Sequence, residues 1–268
     1  MSDHHLEIIA HYEVYEEANR LIKDNPLEFL RTAEIIERSL NPPPGVIVDI
    51  GGGPGVYAAW LARLGYRVHL FDLVPRHVEA ARRASDTGNL TAEVADARAV
   101  PMSDASADIV LLLGPLYHLV EREDRIAALR EAKRILRPAG TVFAAGISRF
   151  APAIDGIVED LIADPVFRRI VERDLTDGQH RNPTLNPRYF TTAYLHRPED
   201  LLRETEEAGF AEARVIGVEG LGWAVADLDE ILADLAARDR LLDVLRRLEA
   251  EPALLGASPH LLAVASHG

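Results

Sequence analysis

Short apolar runs alternate with segments of helical spacing over the middle of the chain. Runs of strand length occur at 46–50, 67–72, 91–95, 108–113 and 141–147. Between them, apolar residues recur three or four positions apart, which predicts helices over 55–64, 75–84 and 122–136. Strands that alternate with helices predict an α/β fold with a mainly parallel sheet and right-handed crossovers.

Further helical patterns precede this core. Residues 6–22 repeat apolar positions on one helical face, and a second helix is predicted to begin with Asn25 as N-cap and Pro26 in its first turn. The three prolines at 42–44 end it. Since neither helix fits the alternation of the sheet, residues 1–45 are predicted to form a helical cap at its edge or over a ligand mouth.

An insertion follows the fifth predicted strand. Residues 148–190 contain a predicted helix over 153–163, a second short helix after Pro165 and the polar, turn-rich stretch 174–187. Polar loops next to the end of a strand often carry binding residues. This segment is therefore predicted to be a substrate lid.

Residues 191–268 are predicted to complete the sheet. A helix over 198–208 leads to a sixth strand at 211–219, and the final strand is 260–266. A leucine-rich helical insert, 224–256, separates these two strands. The insert is predicted to form a cap wall or the face of a homodimer.

The core is organised around one stretch, 46–60, which reads VIVDIGGGPGVYAAW. A buried strand enters a glycine turn and then a helix, so backbone and helix N–H groups can approach a ligand closely. Gly51-x-Gly53-x-Gly55 matches one nucleotide-binding pattern, and Gly53-x-Gly55-x-x-Ala58 matches the dinucleotide fingerprint. The glycines alone therefore leave the nucleotide open.

Acidic residues at three strand ends narrow the choice of nucleotide ligand. Asp72 follows the second strand, where a carboxylate can accept both hydroxyls of a ribose. Asp49 precedes the glycines, at a position that dinucleotide-binding folds usually keep apolar, and suits a ligand with positive charge. Asp96, followed by Ala97, offers a carboxylate and a backbone N–H to an adenine edge. A nicotinamide-dependent oxidoreductase is therefore disfavoured.

Composition excludes several other classes. The net charge of −14 argues against nucleic-acid partners and against an anionic membrane surface. The absence of cysteine excludes disulfides, thiolate zinc sites and a cysteine nucleophile. No stretch reaches transmembrane length and no basic segment followed by an apolar run stands near residue 1, so a cytoplasmic protein is expected. His4, His5 and His11 lack the acid spacing of a metal site, and no metal is predicted.

Taken together, DIGGGPG, Asp72, Asp96-Ala97 and the segment LLLGPLYHL resemble class I S-adenosylmethionine-dependent methyltransferases. The similarity is greatest to the UbiE-like small-molecule methyltransferases of actinobacteria. It covers 46–147 strongly and 148–268 more loosely. It implies a Rossmann-like, seven-stranded methyltransferase sheet, mainly parallel with an antiparallel last strand, that carries the helical cap and lid additions.

The resemblance also implies S-adenosylmethionine as the cofactor and assigns residues to it. Gly51, Gly53 and Gly55 are expected to line its methionine part. Asp49 is expected to order the turn or meet the amino group, and Asp72 to bind the ribose. The remaining expected contacts are with adenine, through Leu73, Asp96 and Ala97, and with the sulfonium side, through Leu113 and Gly114.

The reaction expected is in-line transfer of a methyl group to a small, aromatic natural product. His118 is predicted to act as general base, since its ordinary pKa suits proton transfer near neutrality. Tyr117 and Tyr15 are further candidates for the catalytic centre. Six other residues are predicted to face the substrate, namely Tyr12, Glu17, His180, Arg181, Tyr189 and Trp223.

Two alternatives remain open from the sequence. One is carbon methylation at C3 of an indole in a tryptophan-derived cyclic dipeptide, with Tyr15, His118 or Glu17 bonded to the indole nitrogen. The other is a sensor or scaffold that binds the cofactor without transferring its methyl group. An acceptor cavity beside the cofactor site would argue against the sensor.

Overall fold

A seven-stranded sheet forms the centre of the computed structural model, which describes Leu21, 25–184 and 186–268. Its strands stand in the order β3-β2-β1-β4-β5-β9-β8. All neighbours from β3 to β5 are parallel, whereas β9 is antiparallel to both β5 and β8. The sheet strands are β1 Val46–Ile50, β2 Arg67–Asp72, β3 Leu90–Val94, β4 Ala107–Leu112, β5 Leu136–Ile147, β8 Ala211–Gly217 and β9 His260–Ser266.

Helices cover both faces of the sheet, and a two-stranded ribbon lies outside it. The ribbon pairs β6, Gln179–His180, with β7, Ala193–Tyr194. The helices in chain order are α1 Pro26–Glu37, α2 Val56–Arg63, α3 Pro75–Ala84, α4 Pro115–His118, α5 Arg122–Ile135, α6 Ala151–Val158, α7 Pro165–Asp177, α8 Pro198–Glu207, α9 Leu228–Ala233 and α10 Leu235–Leu248.

The central strands are apolar on both faces because helices bury both faces. Successive residues of β1 illustrate the alternation. Ile47 packs in the core on one face, with α1, α2 and α3, whereas Val48 packs in the core on the other, with α5 and α8. The predicted α/β class, the parallel core and the antiparallel last strand are confirmed.

The insertion after β5 carries a small core of its own. Leu161, Phe167 and Ile170 pack with Val171 and Tyr189, separately from the two sheet cores. The helix predicted over 153–163 is two elements, α6 and a 3₁₀ turn at Leu161–Ala163. The helix after Asp164 is not short, since α7 continues to Asp177 and takes in part of the stretch predicted to be turns.

Two local expectations also need correction. Asn25 holds the N-cap position of α1, but its side chain makes no capping hydrogen bond. The strand expected at 141–147 begins at Leu136, directly after α5. Within the described residues, no helix has both the length and the apolar character needed to cross a bilayer.

The topology fixes where a ligand can bind. The chain proceeds from β1 to β2 and β3 on one side, then returns to place β4 on the other side of β1. In open α/β sheets ligands bind beyond the carboxyl ends of the strands at such a reversal of direction. The glycine turn after β1 lies at this point.

Candidate functional site

The turn after β1 is fixed to β2 by backbone hydrogen bonds. The Gly51 N–H donates to the Phe71 carbonyl at 2.6 Å. Gly51 has φ of 69°, in the left-handed region, and a Cβ there would lie 2.5 Å from the Pro115 ring. Glycine is therefore required here for close approach of α4 to the turn.

Gly55 makes a packing contact between two helices. It caps α2 with φ of 88°, and a Cβ would lie 3.0 Å from the Cβ of Ala81. The residue thus allows α2 to pack on α3. It is not among the residues that line the cavity beside the turn, and its expected contact with the cofactor stays a prediction.

The cavity beside the turn collects the other predicted cofactor residues. We call it the glycine-turn cleft. It joins the turn after β1 to the ends of β2, β3 and β4. Its lining includes Asp49, Gly51, Gly53, Asp72, Leu73, Asp96, Ala97, Leu113, Gly114, Tyr117 and His118.

Asp49 lies buried beneath the turn, and its carboxylate has no hydrogen-bond partner among the described residues. Burial, and secondarily the charge of Asp72, raises the pKa of the Asp49 carboxyl to about 7. An uncompensated acid at this depth is costly. A positively charged ligand in the cleft would offset that cost.

Asp72 at the end of β2 organises the cleft through both carboxylate oxygens. One oxygen accepts from the Gly53 N–H at 2.8 Å, and the other accepts from the Val74 N–H at 2.8 Å. The ring Nδ1 of His77 lies 3.2 Å from the second oxygen. The residue expected to bind ribose therefore also joins the turn to the start of α3.

Asp96 has a protein partner that the sequence did not indicate. Its carboxylate accepts from the Arg98 guanidinium at 2.6 and 2.9 Å and from the Arg98 N–H at 2.9 Å. Arg98 in turn donates to Asp124 at 2.7 Å. The Asp96 carboxylate is thus held at the cleft by a salt bridge.

Two candidate catalytic residues of the LLLGPLYHL segment stand on a short helical turn. Tyr117 and His118 end α4, which Gly114 precedes as N-cap. The Tyr117 and His118 rings are 4.7 Å apart, and Phe190 packs 6.2 Å from His118. Phe190 has φ of 59°, which is unusual for a bulky residue.

A second cavity of about 390 Å³ adjoins the cleft. We call it the lid cavity. Its volume falls within the range of small-molecule pockets. Its apolar wall comes from α1, the end of β5, the insertion and the segment after β8, and includes Leu27, Ile147, Pro152, Val158, Phe167, Phe190, Leu195, Trp223, Leu228 and Pro259. Glu28 and His260 line both cavities.

Three predicted substrate residues line the lid cavity, and each also has a contact within the protein. His180 faces the Asp174 carboxylate at 2.9 Å and the Tyr189 carbonyl at 2.7 Å. The Tyr189 hydroxyl donates to Asp164 at 2.6 Å, and the Trp223 indole N–H donates to the Ala257 carbonyl at 3.2 Å. These bonds hold the rings that form the wall.

Arg181, a fourth predicted substrate residue, does not line the lid cavity. It is absent from the lining of either cavity. Its guanidinium donates to the carbonyls of His180, at 2.8 Å, and Ala193, at 3.3 Å, across the β6–β7 ribbon. The remaining predicted residues Tyr12, Tyr15 and Glu17 lie outside the described part of the chain, as does most of the helix predicted over 6–22.

A buried ionic network holds the two residues that follow α4. Arg125 donates to the Glu204 carboxylate at 2.7 and 2.9 Å and to the carbonyls of Leu119 and Val120, just beyond His118. Burial raises the pKa of Glu204, but hydrogen bonds from His196 and Arg125 outweigh it and hold that pKa at about 2. Burial lowers the pKa of His196.

Three residues were missed by the sequence analysis: Glu28, Glu219 and His260. They come from α1, from the segment after β8 and from the first position of β9. Their ligand atoms lie within 4.8 Å of one another. Glu219 could have been found, because it follows a strand that runs with the parallel set. No local motif marks His260, because its strand runs in the opposite direction.

Comparison with known proteins agrees with this architecture. Residues 47–140 match the family described as methyltransferase domain. A ubiquinone biosynthesis O-methyltransferase of Methylocella silvestris is 36% identical over 116 residues, which are 41% of this chain and 44% of that protein. A dimethylglycine N-methyltransferase of Parasynechococcus marenigrum is 34% identical over 139 residues, 50% of this chain and 47% of that protein.

The solved structures extend the similarity of fold over nearly the whole chain. A putative S-adenosylmethionine-dependent methyltransferase from Listeria monocytogenes superposes with a TM-score of 0.61 at 17% identity, covering 90% of this chain and 98% of that one. The chain spans about half the length of the curated relatives described above. Residues 47–140 thus match the methyltransferase-domain family, and the predicted Rossmann-like methyltransferase fold is confirmed.

Proposed function

We propose that this protein is an S-adenosylmethionine-dependent methyltransferase whose acceptor is a small aromatic molecule without negative charge. The glycine-turn cleft supports the first part. A buried, unpartnered Asp49 carboxylate beneath the turn suits the ammonium group of the cofactor, and Asp72 at the end of β2 suits its ribose. The methyltransferase-domain match over 47–140 supports the same cofactor.

The lid cavity is the observation that supports the second part of the proposal, a small aromatic acceptor. Aromatic side chains from three places in the chain border it, namely Phe167, Phe190 and Trp223. Aromatic walls favour a flat apolar ligand. Since this cavity shares Glu28 and His260 with the cleft, it supports an enzyme with an acceptor site over a sensor that only binds the cofactor.

Charge in the lid cavity narrows the acceptor further. Five carboxylates line it, against one arginine, Arg188, and the carboxylates are those of Glu28, Asp155, Glu159, Glu219 and Asp229. Burial, followed by the charge of Glu159, raises the pKa of Asp155. An anionic acceptor would be repelled here, whereas a phenol, an indole or an amine would not.

The cofactor supplies a methyl group already activated by a positive sulfur atom. The chain's own residues then bind and orient the acceptor, and such positioning contributes roughly 7–11 kcal/mol in well-oriented systems. His118 and Tyr117 stand where α4 meets the cleft, and we keep them as candidates for contact with the acceptor. Carbon methylation of an indole stays an alternative within this proposal.

Two measurements test the proposal. Isothermal titration with S-adenosylhomocysteine should give one site per chain, and NAD should not compete. Incubation with methyl-labelled cofactor and a host extract should then label a small aromatic molecule, with mass spectrometry and NMR locating the labelled atom as oxygen, nitrogen or carbon. Label in protein or RNA with none in small molecules would refute the proposal.

A matched pair of probes tests the charge of the acceptor. Benzylamine and benzoate have nearly the same shape and opposite charges. Benzylamine should slow transfer to the labelled acceptor, whereas benzoate at the same concentration should not. Stronger inhibition by benzoate would contradict the acid-lined cavity as the acceptor site.

A further inference from the structure

The sheet topology brings Glu219 and His260 to the edge where the parallel strands end. His260 is the first residue of β9 and pairs with Ile147, the last residue of β5. Glu219 follows shortly after the end of β8, which runs in the direction of the parallel strands. Because β9 is antiparallel, its beginning meets the carboxyl ends of its two neighbours.

The hydrogen bonds around Glu219 orient the His260 ring. The Nδ1 of His260 lies 2.5 Å from one Glu219 oxygen, which is a charge-assisted contact. The other Glu219 oxygen accepts from the His260 backbone N–H at 3.1 Å and lies 3.0 Å from the Ser258 hydroxyl. With Nδ1 donating to a fixed carboxylate, Nε2 is the basic nitrogen of the ring.

His260 also lies at the junction of the two cavities. Three histidines line the glycine-turn cleft within the described part of the chain: His77, His118 and His260. Of these, only His260 lines the lid cavity as well. A group that removes a proton from the acceptor must lie near the place where the acceptor meets the methyl donor, and under the proposed function that place is the junction of the two cavities.

We propose that Glu219 and His260 form the dyad that accepts the proton of the methyl acceptor, an inference that rests on the proposed function. As the acceptor's electron pair forms the new bond to the methyl carbon, the sulfur keeps the pair of the bond it loses. The acceptor's O–H or N–H proton passes to Nε2 of His260. The imidazolium so formed is stabilised by Glu219, with Glu28 3.8 Å from Nδ1 adding negative charge.

A divalent cation is the competing use of this cluster, since Glu28, Glu219 and His260 have the donor types of a metal site. The contacts favour the dyad. Both Glu219 oxygens already face donors, from the His260 ring on one side and from the His260 N–H and Ser258 on the other. A metal would have to displace the bond between Glu219 and the ring.

The test compares His260→Gln and Glu219→Gln with a matched control, His69→Gln. His69 stands on β2, outside both cavities, with its Nδ1 2.8 Å from the Thr91 hydroxyl. The assay follows the release of S-adenosylhomocysteine from S-adenosylmethionine and low-molecular-weight host extract between pH 5 and 9. Titration with S-adenosylhomocysteine verifies that each variant is folded and binds normally.

We expect His260→Gln to lower the rate by about 10²–10⁴-fold, the usual contribution of a general base. Glu219→Gln should move the acid limb of the pH profile down by about one unit, because it removes the anion beside the ring. His260→Ala should regain activity with added imidazole, which a merely structural histidine would not show. NMR of the wild type bound to S-adenosylhomocysteine should show the His260 proton on Nδ1.

The outcomes distinguish a failure of the proposed dyad from a failure of the proposed function. If wild-type protein binds S-adenosylhomocysteine and turns over, but His260→Gln keeps the wild-type rate and pH profile, the dyad is wrong and the proposed function stands. If EDTA abolishes turnover and Mn²⁺ or Zn²⁺ restores it, the cluster is a metal site and the dyad is also wrong. If wild-type protein neither binds nor turns over, the proposed function fails.

Discussion

The glycine-turn cleft and the lid cavity share a wall, yet the chain builds them in opposite ways. The cleft takes nearly all its predicted residues from short segments at the ends of consecutive strands, β1 to β4. The lid cavity gathers residues from α1, from the end of β5, from the insertion and from the segments around β8 and β9. The residues predicted to bind the cofactor are thus encoded locally, whereas the proposed acceptor cavity depends on long-range packing.

The difference indicates which part of the proposed active site tolerates changes in the surrounding packing. Residues within one strand end and its turn keep their spacing whatever packs around them. The cleft should therefore keep its shape when neighbouring segments are repacked. The lid cavity changes whenever the insertion or the segment before β9 is repacked. Loops and insertions on a rigid sheet commonly set the specificity of a site. Substitutions in the cleft and in the lid cavity should therefore affect cofactor binding and acceptor binding separately.

The largest effect is expected from the buried ion pair between Arg125 and Glu204. Glu204→Gln leaves the Arg125 guanidinium buried without its counter-charge, which should cost about 3–5 kcal/mol of the free energy of unfolding. Urea unfolding measures this loss. Glu207→Gln is the matched control, since Glu207 pairs with Arg122 at the solvent-exposed surface and should leave the free energy of unfolding nearly unchanged.

The same network predicts a pH dependence of stability. Glu204 has a folded pKa of about 2 against an ordinary value of 4.5. Its stabilising effect is therefore full above pH 4.5 and is lost as the pH falls towards 2. Wild-type protein should lose stability over this window more steeply than Glu204→Gln. Equal slopes would show that the pKa of Glu204 is not lowered by folding.

Asp49 should produce the opposite slope. Its folded pKa is raised to about 7 from 3.8, so its contribution is full below pH 3.8 and is lost as the pH rises through 7. Asp49→Asn should stabilise the unliganded protein at pH 8 by up to about 4 kcal/mol, at 1.36 kcal/mol per pKa unit. It should also weaken S-adenosylhomocysteine binding about tenfold, by analogy with a lost charged hydrogen bond.

Asp49→Asn should therefore raise the stability of the unliganded protein and lower its affinity for S-adenosylhomocysteine. Thermal unfolding at pH 5 and pH 8 measures the first, and isothermal titration measures the second. A variant that gains stability and keeps full affinity would show that Asp49 does not meet the ligand. In that case its role would be confined to ordering the turn.

Asp72→Ala tests whether the cleft alone holds the cofactor. The change removes the expected ribose contact and the acceptor for the Gly53 and Val74 N–H groups. We expect a loss of about 100-fold in S-adenosylhomocysteine affinity, which corresponds to about 3 kcal/mol. Asp86→Ala, at an exposed carboxylate paired with Arg63, is the control and should leave affinity unchanged. A loss under threefold for Asp72→Ala would remove it from the site.

The smallest effect is expected in the lid cavity. Trp223→Ala should raise the KM for the acceptor about tenfold, the equivalent of 1.4 kcal/mol, and leave S-adenosylhomocysteine affinity unchanged. Trp223→Phe keeps an aromatic wall and should restore most of the difference. A parallel loss of cofactor affinity in Trp223→Ala would mean that the two cavities are not separable.

Several features followed from the sequence for reasons of local geometry. The glycine turn, Asp49 and Asp72 lie within two strands and one turn, so their positions relative to one another follow from the elements themselves. The alternation of strands and helices predicted the sheet, and residues 47–140 match the methyltransferase-domain family. The small-molecule acceptor, the cytoplasmic location, the absence of nucleic-acid partners and any homodimer stay predictions.

Other features needed the folded chain. The partnership of Asp96 with Arg98 and the placement of Gly55 against Ala81 depend on side-chain packing that no motif encodes. The position of His118 on a helical turn was likewise set by packing against Phe190 and the glycine turn.

The sequence by itself determined the edge of the sheet at which a ligand binds and the residues offered to it, because spacing along a strand and its turn is fixed by covalent geometry. Only the tertiary structure decided which residues lie across the cleft from these strand ends. The reversal of β9 brings His260 beside Glu219, 41 positions earlier in the chain, and places both next to Glu28 from α1. Strand pairing between distant segments sets such contacts, and no local pattern records them.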